Sequence, residues 1–360
     1  MRNPTEASRS LVTIKDIASE LGVSNATVSR ALGDSPLISL ATKERIRAKA
    51  TEMGYVPDAI ARMMRGEASN LVGFILPDVQ NHFYSAMARA LAENVATIGL
   101  QLVLAISEGN AERELRHVRE LRRARARGII ITPVADMRSE TAELLSAGQT
   151  VQLVRSHPLV QAASVSADDG EATRLSTSHL LSLGHRRIAY LGGGSEILDS
   201  GVRRLSGYRS AMASVAGTTT IERLTAPHPE NGYQAAQALM AGSERPTALV
   251  LGSSQLALGA LHAIREMGLR IPQDISLLSY DDPDWLQLCG PGISTIALPI
   301  QSMAHYAVSL IDAHYRPAGL PTPCLTEHAG TGTHYAFPVS LVERGSCSGP
   351  IEHAVSPIRT

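Results

Sequence analysis

The stretch Thr13-Ile14-Lys15-Asp16-Ile17-Ala18-Ser19-Glu20-Leu21-Gly22-Val23-Ser24-Asn25-Ala26-Thr27-Val28-Ser29-Arg30-Ala31-Leu32 reads as two short helices separated by a glycine turn. In the first, Ile14, Ile17, Ala18 and Leu21 recur at i, i+3, i+4, i+7, with Thr13 placed to cap and Asp16 to complete a capping box. Gly22 suits a left-handed turn, because it has no Cβ to clash there. Ser24 is the natural N-cap of the second helix, which then buries Val28, Ala31 and Leu32 and leaves Asn25, Ala26, Ser29 and Arg30 outward. Two helices at this spacing form a helix-turn-helix, whose second helix meets base edges in the major groove of double-stranded DNA.

At 360 residues the chain is too long for that module alone, so two or three units are expected. Aromatic content of 4% and charged content of 19% describe an ordinary globular composition. No apolar run approaches the ~18 residues of a membrane span, and residues 1–11 have no signal-peptide core, so a cytoplasmic protein with no membrane partner is expected. Cys289, Cys324 and Cys347 have neither disulfide-framework nor metal-ligand spacing. The net charge is -1, yet residues 1–66 hold ten Lys or Arg against seven Asp or Glu. The excess of positive charge that attracts DNA therefore belongs to the first segment.

A third helix is expected after Ser39 or Thr42, with Ile46, Ala50 and Met53 on one face and Gly54 ending it. Asp58-Ala59-Ile60-Ala61-Arg62-Met63-Met64-Arg65-Gly66 follows with only about two helical turns, too short to be stable alone. The run Val12–Gly66 resembles the lactose-repressor (LacI/GalR) family, in Thr13-Ile14-Lys15-Asp16-Ile17-Ala18, in Gly22-Val23-Ser24 with Ala26-Thr27-Val28-Ser29-Arg30, and in Gly54-Tyr55 with Pro57. The resemblance implies that the short segment is a hinge helix in the minor groove, with Met64 at the position of a leucine that wedges into a base step. It further implies Asn25 and Ala26 as specificity positions and Arg30 as a reader of guanine or phosphate. Thr13, Ser24, Thr27, Ser29, Tyr55 and Ala61 complete the expected DNA-facing set, and Asp58 stands where the family has asparagine.

From Leu71 short apolar runs alternate with helical stretches: Leu71–Leu76, Leu100–Ala105, Gly128–Thr132 and Thr150–Val154, then Arg187–Leu191, Thr247–Leu251 and Ile275–Ser279. The alternation predicts parallel sheets covered by helices, in two lobes with a cleft at the carboxyl ends of their strands. The resemblance continues in Leu183-Gly184-His185-Arg186-Arg187-Ile188, Arg204-Leu205-Ser206-Gly207-Tyr208 and Ala257-Leu258-Gly259-Ala260-Leu261. It implies an all-α helix-turn-helix domain followed by a periplasmic-binding-protein-like α/β core, the chain crossing between lobes three times. The expected boundaries are 1–57 for the DNA-binding domain, 58–69 for the hinge and linker, and 70–345 for the core. Within the core, lobe 1 takes about 70–160 and 293–320 and lobe 2 about 161–292 and 321–345, with the last crossings near Thr295 and Pro321 and a disordered tail from 346 to 360.

The resemblance places Asn81, Phe83, Tyr84, Arg155, Arg204, Asp281 and Trp285 in the cleft, and their chemistry suits a sugar or sugar acid. Arginine offers a planar donor fork, aspartate accepts from paired hydroxyls, and an indole lies against an apolar sugar face. Ser253-Ser254 stands where the family has Asn-Asp, so Ser254 takes the place of a ligand carboxylate with an uncharged hydroxyl. His82, in place of the family's proline, adds a possible anion contact.

Two rivals use the same cleft. An enzyme could be imagined on Asp168-Asp169 or Asp281-Asp282, yet sequence neighbours rarely converge on one atom, and caps and turns account for them. Gly192-Gly193-Gly194-Ser195 lacks both the P-loop lysine and dinucleotide spacing, and His328–His334 reads as a loop insertion. A solute-binding protein serving transport would need secretion. The expectation is therefore a transcriptional repressor, not an enzyme, needing no cofactor or metal. It binds a palindromic operator as a homodimer and answers to a small-molecule effector. The absence of a leucine heptad after Ser346 argues against a tetramer.

Overall fold

The computed structural model describes residues 12–33, 35–55, 69–193, 199–242, 245–313, 315, 322–328 and 332–350. The chain divides into two units between Ser69 and Asn70.

The first unit carries α1 (Ile14–Leu21), α2 (Asn25–Leu32) and α3 (Leu40–Glu52). Asp16 Oδ2 accepts from the Thr13 backbone N–H and from its hydroxyl, both at 2.8 Å, which fixes the start of α1. Gly22 ends it in the left-handed region at φ +64°. Ser24 Oγ accepts from the Thr27 N–H at 3.1 Å, and Ser39 Oγ from the Thr42 N–H at 3.3 Å, satisfying first-turn donors of α2 and α3. Ile17, Val28, Ala31 and Ile46 are fully buried where the three helices meet. The hinge segment, with Asp58, Ala61 and Met64, lies outside the described residues.

The second unit contains two sheets. The first is built from β1 (Leu71–Leu76), β2 (Gln101–Ile106), β3 (Gly128–Ile131), β4 (Thr150–Leu153), β5 (Ala163–Ala167), β11 (Cys324–His328) and β12 (Gly332–Phe337), in the order β11-β12-β5-β4-β3-β1-β2. The second holds β6 (Arg187–Gly192), β7 (Thr219–Leu224), β8 (Ala248–Leu251), β9 (Ser276–Tyr280), β10 (Ser294–Ala297) and β13 (Ser340–Val342), in the order β13-β10-β9-β8-β6-β7. All neighbours are parallel except β11 with β12 and β10 with β13. Strands such as Gly128–Ile131 and Ala248–Leu251 are buried throughout, as a sheet covered on both faces requires.

The covering helices are α4 (His82–Ala96), α5 (Ala111–Arg123), α6 (Ser139–Ser146) and α12 (Ile300–Ile311) in the first lobe. Those of the second are α7 (Asp169–Ser182), α8 (Asp199–Ala213), α9 (Pro229–Ala241), α10 (Ser254–Glu266) and the single turn α11 (Trp285–Leu288).

The chain passes between the lobes three times, the second passage close to the expected Thr295 and the first and third displaced from the expected points. The passages fall after Ala167, after Ala297 and between Phe337 and Ser340. Strand β5 (Ala-Ser-Val-Ser-Ala) pairs with β4 and so belongs to the first lobe, while β10 pairs with β9 and stays in the second. Periodicity marks a strand without saying which sheet it joins, and that is why the expected boundaries at 161, 293 and 321 are displaced. The presumed loop insertion is a β-hairpin: Cys324–His328 pairs antiparallel with Gly332–Phe337, and β12 then continues the sheet beside β5. The last helix of the first lobe, α12, stops at Ile311, capped by Asp312.

The tail expected to be disordered from 346 is ordered to residue 350. Ser346 is fully buried, accepting from the Ser294 N–H at 2.8 Å and donating to the Leu277 carbonyl at 2.6 Å. Residues 351–360 lie outside the described set. Among the described residues no helix is long and apolar enough to cross a membrane.

Candidate functional site

On the first unit, α2 buries Val28 and Ala31 and exposes Ser24, Asn25, Ala26 and Arg30, with Thr27 and Ser29 half-buried beside them. Thr13 is exposed at the start of α1, whereas Tyr55 packs against the three-helix core. Arg45 donates to the Leu21 carbonyl at 3.1 Å, closing the C-terminal end of α1.

The second unit holds a cavity of about 500 Å³ between its lobes. Many of its lining residues lie just after strands, Val154 and Arg155 after β4, Asp169 after β5, Thr225 after β7, Ser254 after β8 and Asp281 after β9, while Asn81, Phe83 and Tyr84 come from the start of α4 and Arg204 from α8. Parallel strands end on one edge of each sheet, so facing edges make the cleft. Seven of the eight expected effector residues line it: Asn81, Phe83, Tyr84, Arg155, Arg204, Ser254 and Asp281. Trp285 does not. It opens α11 and packs on the second-lobe apolar cluster around Leu286 and Ile293.

Four lining residues are built into the frame. Asn81 caps α4, its side-chain oxygen accepting from the Phe83 N–H at 3.1 Å. Arg155 donates through Nε to the Pro133 carbonyl at 2.8 Å. Ser253 caps α10 through the Leu256 N–H at 3.2 Å, while the buried Ser254 hydroxyl donates to Asp281 Oδ2 at 3.3 Å. Two strand ends on the cavity wall carry backbone strain: Val154 sits at φ +74° and Asp281 at φ +75°. For residues with a Cβ this conformation costs about 1–3 kcal/mol each and is typical of ligand clamps.

Asp281 is nearly buried, and burial pushes its carboxyl up to about 6, against the Asp282 N–H, the His82 imidazole and the Ser254 hydroxyl, which favour the charged form. The Arg204 guanidinium makes an ion pair that sequence reading did not foresee. Its Nε donates to Asp169 Oδ1 at 2.6 Å, its Nη1 to the Gly252 carbonyl at 2.8 Å, and its Cζ lies 3.8 Å from the Tyr280 ring centre. The Tyr280 hydroxyl donates to the same Asp169 oxygen at 2.6 Å. Burial opposes the Arg204 charge, but Asp169 together with Tyr280 and Tyr190 outweighs it, so the guanidinium is held protonated. Burial also drives the Tyr280 phenol well above its usual range.

Asp169 and Tyr280 are the functional residues that sequence reading missed. The first was absorbed into a capping role that belongs to Asp168, whose Oδ1 accepts from the Glu171 N–H at 3.0 Å. Gly193 lines the cavity, and Gly194-Ser195 lies outside the described residues.

Residues 13–58 match the family described as bacterial regulatory proteins, lacI family, and residues 177–347 match a periplasmic binding protein-like domain. The chain is 30% identical over 299 residues to the HTH-type transcriptional regulator DegA of Bacillus subtilis, covering 81% of this chain and 88% of that one. It is 29% identical over 348 residues to the HTH-type transcriptional regulator GalR of Salmonella typhimurium, covering 95% and 98%. Among solved structures, the lac repressor dimer bound to operator and the anti-inducer ONPF superposes with a TM-score of 0.73 at 25% identity, over 94% of this chain and 99% of that chain.

Proposed function

The chain belongs to the lacI family of bacterial regulatory proteins and is a DNA-binding transcriptional regulator, and from that premise we propose that it represses transcription as a homodimer on a palindromic operator, its hold on DNA set by a sugar or sugar acid in the interlobe cavity. The observation that carries this reading is a recognition helix with Asn25, Ala26 and Arg30 exposed, on the same chain as a cavity whose walls come from both lobes. An effector that favours one arrangement of the lobes shifts DNA affinity by its differential binding, and a coupling of about 1–3 kcal/mol suffices to switch an operator.

The homodimer is supported by β2. This strand forms one edge of its sheet, and Val103, Leu104 and Ile106 are exposed along it, Leu104 at 47%. An open edge with an apolar surface invites a second copy, and twofold symmetry matches a palindromic site. Against a catalytic reading stand the roles of the adjacent carboxylates: Asp168 caps a helix, Asp169 pairs with Arg204, and Asp282 pairs with Arg344. Work on DNA supports a cytoplasmic location.

The test is retention of genomic fragments on the immobilised protein at graded salt. The reading expects a few fragments sharing an inverted repeat to be held, and their retention to change when small polyhydroxylated compounds are added. Uniform or salt-independent retention contradicts it.

A further inference from the structure

The charges of the cavity wall do not fall evenly on the two lobes. On the second lobe the Arg204 guanidinium is neutralised by Asp169 at 2.6 Å, and the polar groups beside it, Asp281 and Ser254 with Ser200, Thr225 and Ser253, are suited to hydroxyls. On the first lobe Arg155 is half-buried in the cavity wall and, among the described residues, makes no ion pair. Its Nε is spent on the Pro133 carbonyl, which leaves the two terminal nitrogens of the fork as donors.

Glu114, on α5, interacts electrostatically with Arg155. Its Oε2 accepts from the Val134 N–H at 2.9 Å, and Oε1 is buried with no partner. Burial pushes this carboxyl up to about 7, with Asp136 adding to the rise, so near neutral pH it is only partly ionised and compensates Arg155 incompletely. A cation half withdrawn from water with incomplete compensation is stabilised by a ligand anion.

We infer that the effector is an anionic polyol, its acid group on Arg155 of the first lobe and its hydroxyls on Asp281 and Arg204 of the second. This rests on the reading of the cavity as the effector site and narrows its ligand class. Bridging the lobes with two chemically different ends also gives the ligand its leverage, since each end is recognised by one lobe only. A guanidinium fork takes either a carboxylate or a phosphate, so both belong to the class.

Binding of glucose, galactose, glucuronate, galacturonate, gluconate, glucose 6-phosphate and glucosamine to the full chain, followed by calorimetry at pH 7.5, tests it. The expected result is an acid, carboxylate or phosphate, binding at least tenfold more tightly than its neutral parent, with the ratio collapsing in Arg155→Gln and largely kept in Arg155→Lys. The carboxylate and phosphate arms tell the two sources apart.

A neutral hexose or glucosamine bound as tightly as any acid overturns the inference while leaving the cavity reading intact. So does an acid preference that survives Arg155→Gln. If no compound in the panel binds, the inference and the cavity reading fall together. The wild-type ratio decides the matter even if Arg155→Gln does not fold.

Discussion

Arg344 and Asp282 meet in a two-pronged ion pair, Nη1 to Oδ1 and Nη2 to Oδ2, each at 2.8 Å. Arg344 follows the third passage between lobes, and its Nη1 also donates to the Ile293 carbonyl at 2.8 Å. Asp282 is the neighbour of the strained Asp281, whose own N–H donates to the Ile296 carbonyl at 3.0 Å and whose carbonyl accepts from Thr295 Oγ1 at 2.5 Å. The carboxylate that faces the cavity is thus held in its left-handed conformation from three sides.

Removing the fork leaves Asp282 partly buried and uncompensated, so Arg344→Ala is expected to lower stability by about 1–3 kcal/mol. Urea unfolding measures it. Arg270→Ala breaks another two-pronged pair, Arg270 with Asp274, where the arginine is 68% exposed, and is expected to cost under about 1 kcal/mol. Equal losses in the two variants would remove the special role of Arg344.

Glu114 makes stability depend on pH in a direction opposite to ordinary acid denaturation. Its folded value of about 7 lies above the unfolded value near 4.5, so the folded state holds the proton more tightly. The stabilisation is complete below about pH 4.5 and is lost as pH rises through 7. Asp281, pushed up to about 6, acts with the same sign over a lower window. Glu114→Gln should therefore gain about 3 kcal/mol relative to wild type between pH 4.5 and 8. Parallel unfolding curves of the two proteins across that range would refute the assignment.

Gly207 sits where α8 crosses α7, and a Cβ there would run into the Gly170 carbonyl. The same crossing is tied by Thr173 Oγ1, which donates to the Arg204 carbonyl at 2.6 Å. Gly207→Ala is expected to destabilise by about 1–3 kcal/mol through overpacking and to shift Arg204 against Asp169. Gly217→Ala, at a left-handed turn with open space around it, serves as a comparison outside the crossing, its cost being backbone strain alone. A crystal structure of Gly207→Ala with α8 and Arg204 unmoved would contradict the packing argument.

If Asp281 and Arg204 hold the effector, Asp281→Ala or Arg204→Ala should lose the response of DNA binding to an effector that acts on wild type, by at least tenfold in the concentration required. DNA affinity without effector should stay within about threefold. A normal response in either variant would move the ligand elsewhere.

The helix-turn-helix was legible because every decisive signal in it is local: the Thr13 and Asp16 box, Gly22, and the Ser24 cap each act within a few residues. The cavity was legible by resemblance for seven residues, yet its ion-pair wiring was not. Asp169 and Tyr280 are far apart in sequence, and their meeting depends on how two sheets face each other. The membership of β5 and β10 was misread for a related reason, since pairing with β4 or β9 leaves no mark on a strand of four or five residues. Trp285 was placed in the cleft by resemblance, but the turn after Asp281 carries it onto the apolar core instead. The hairpin at 324–337 was hidden because its glycine and histidine content resembles a loop.

The central claim is that Asn25, Ala26 and Arg30 read base edges. Selection of bound duplexes from a random pool, run in parallel with wild type, Asn25→Ala and Arg30→Ala, tests it directly. The account predicts an inverted repeat for wild type, with Arg30→Ala weakening binding to that repeat by more than tenfold and Asn25→Ala relaxing the base preference at one position in each half-site. Selection of the same repeat, with the same affinity, by all three proteins would contradict it.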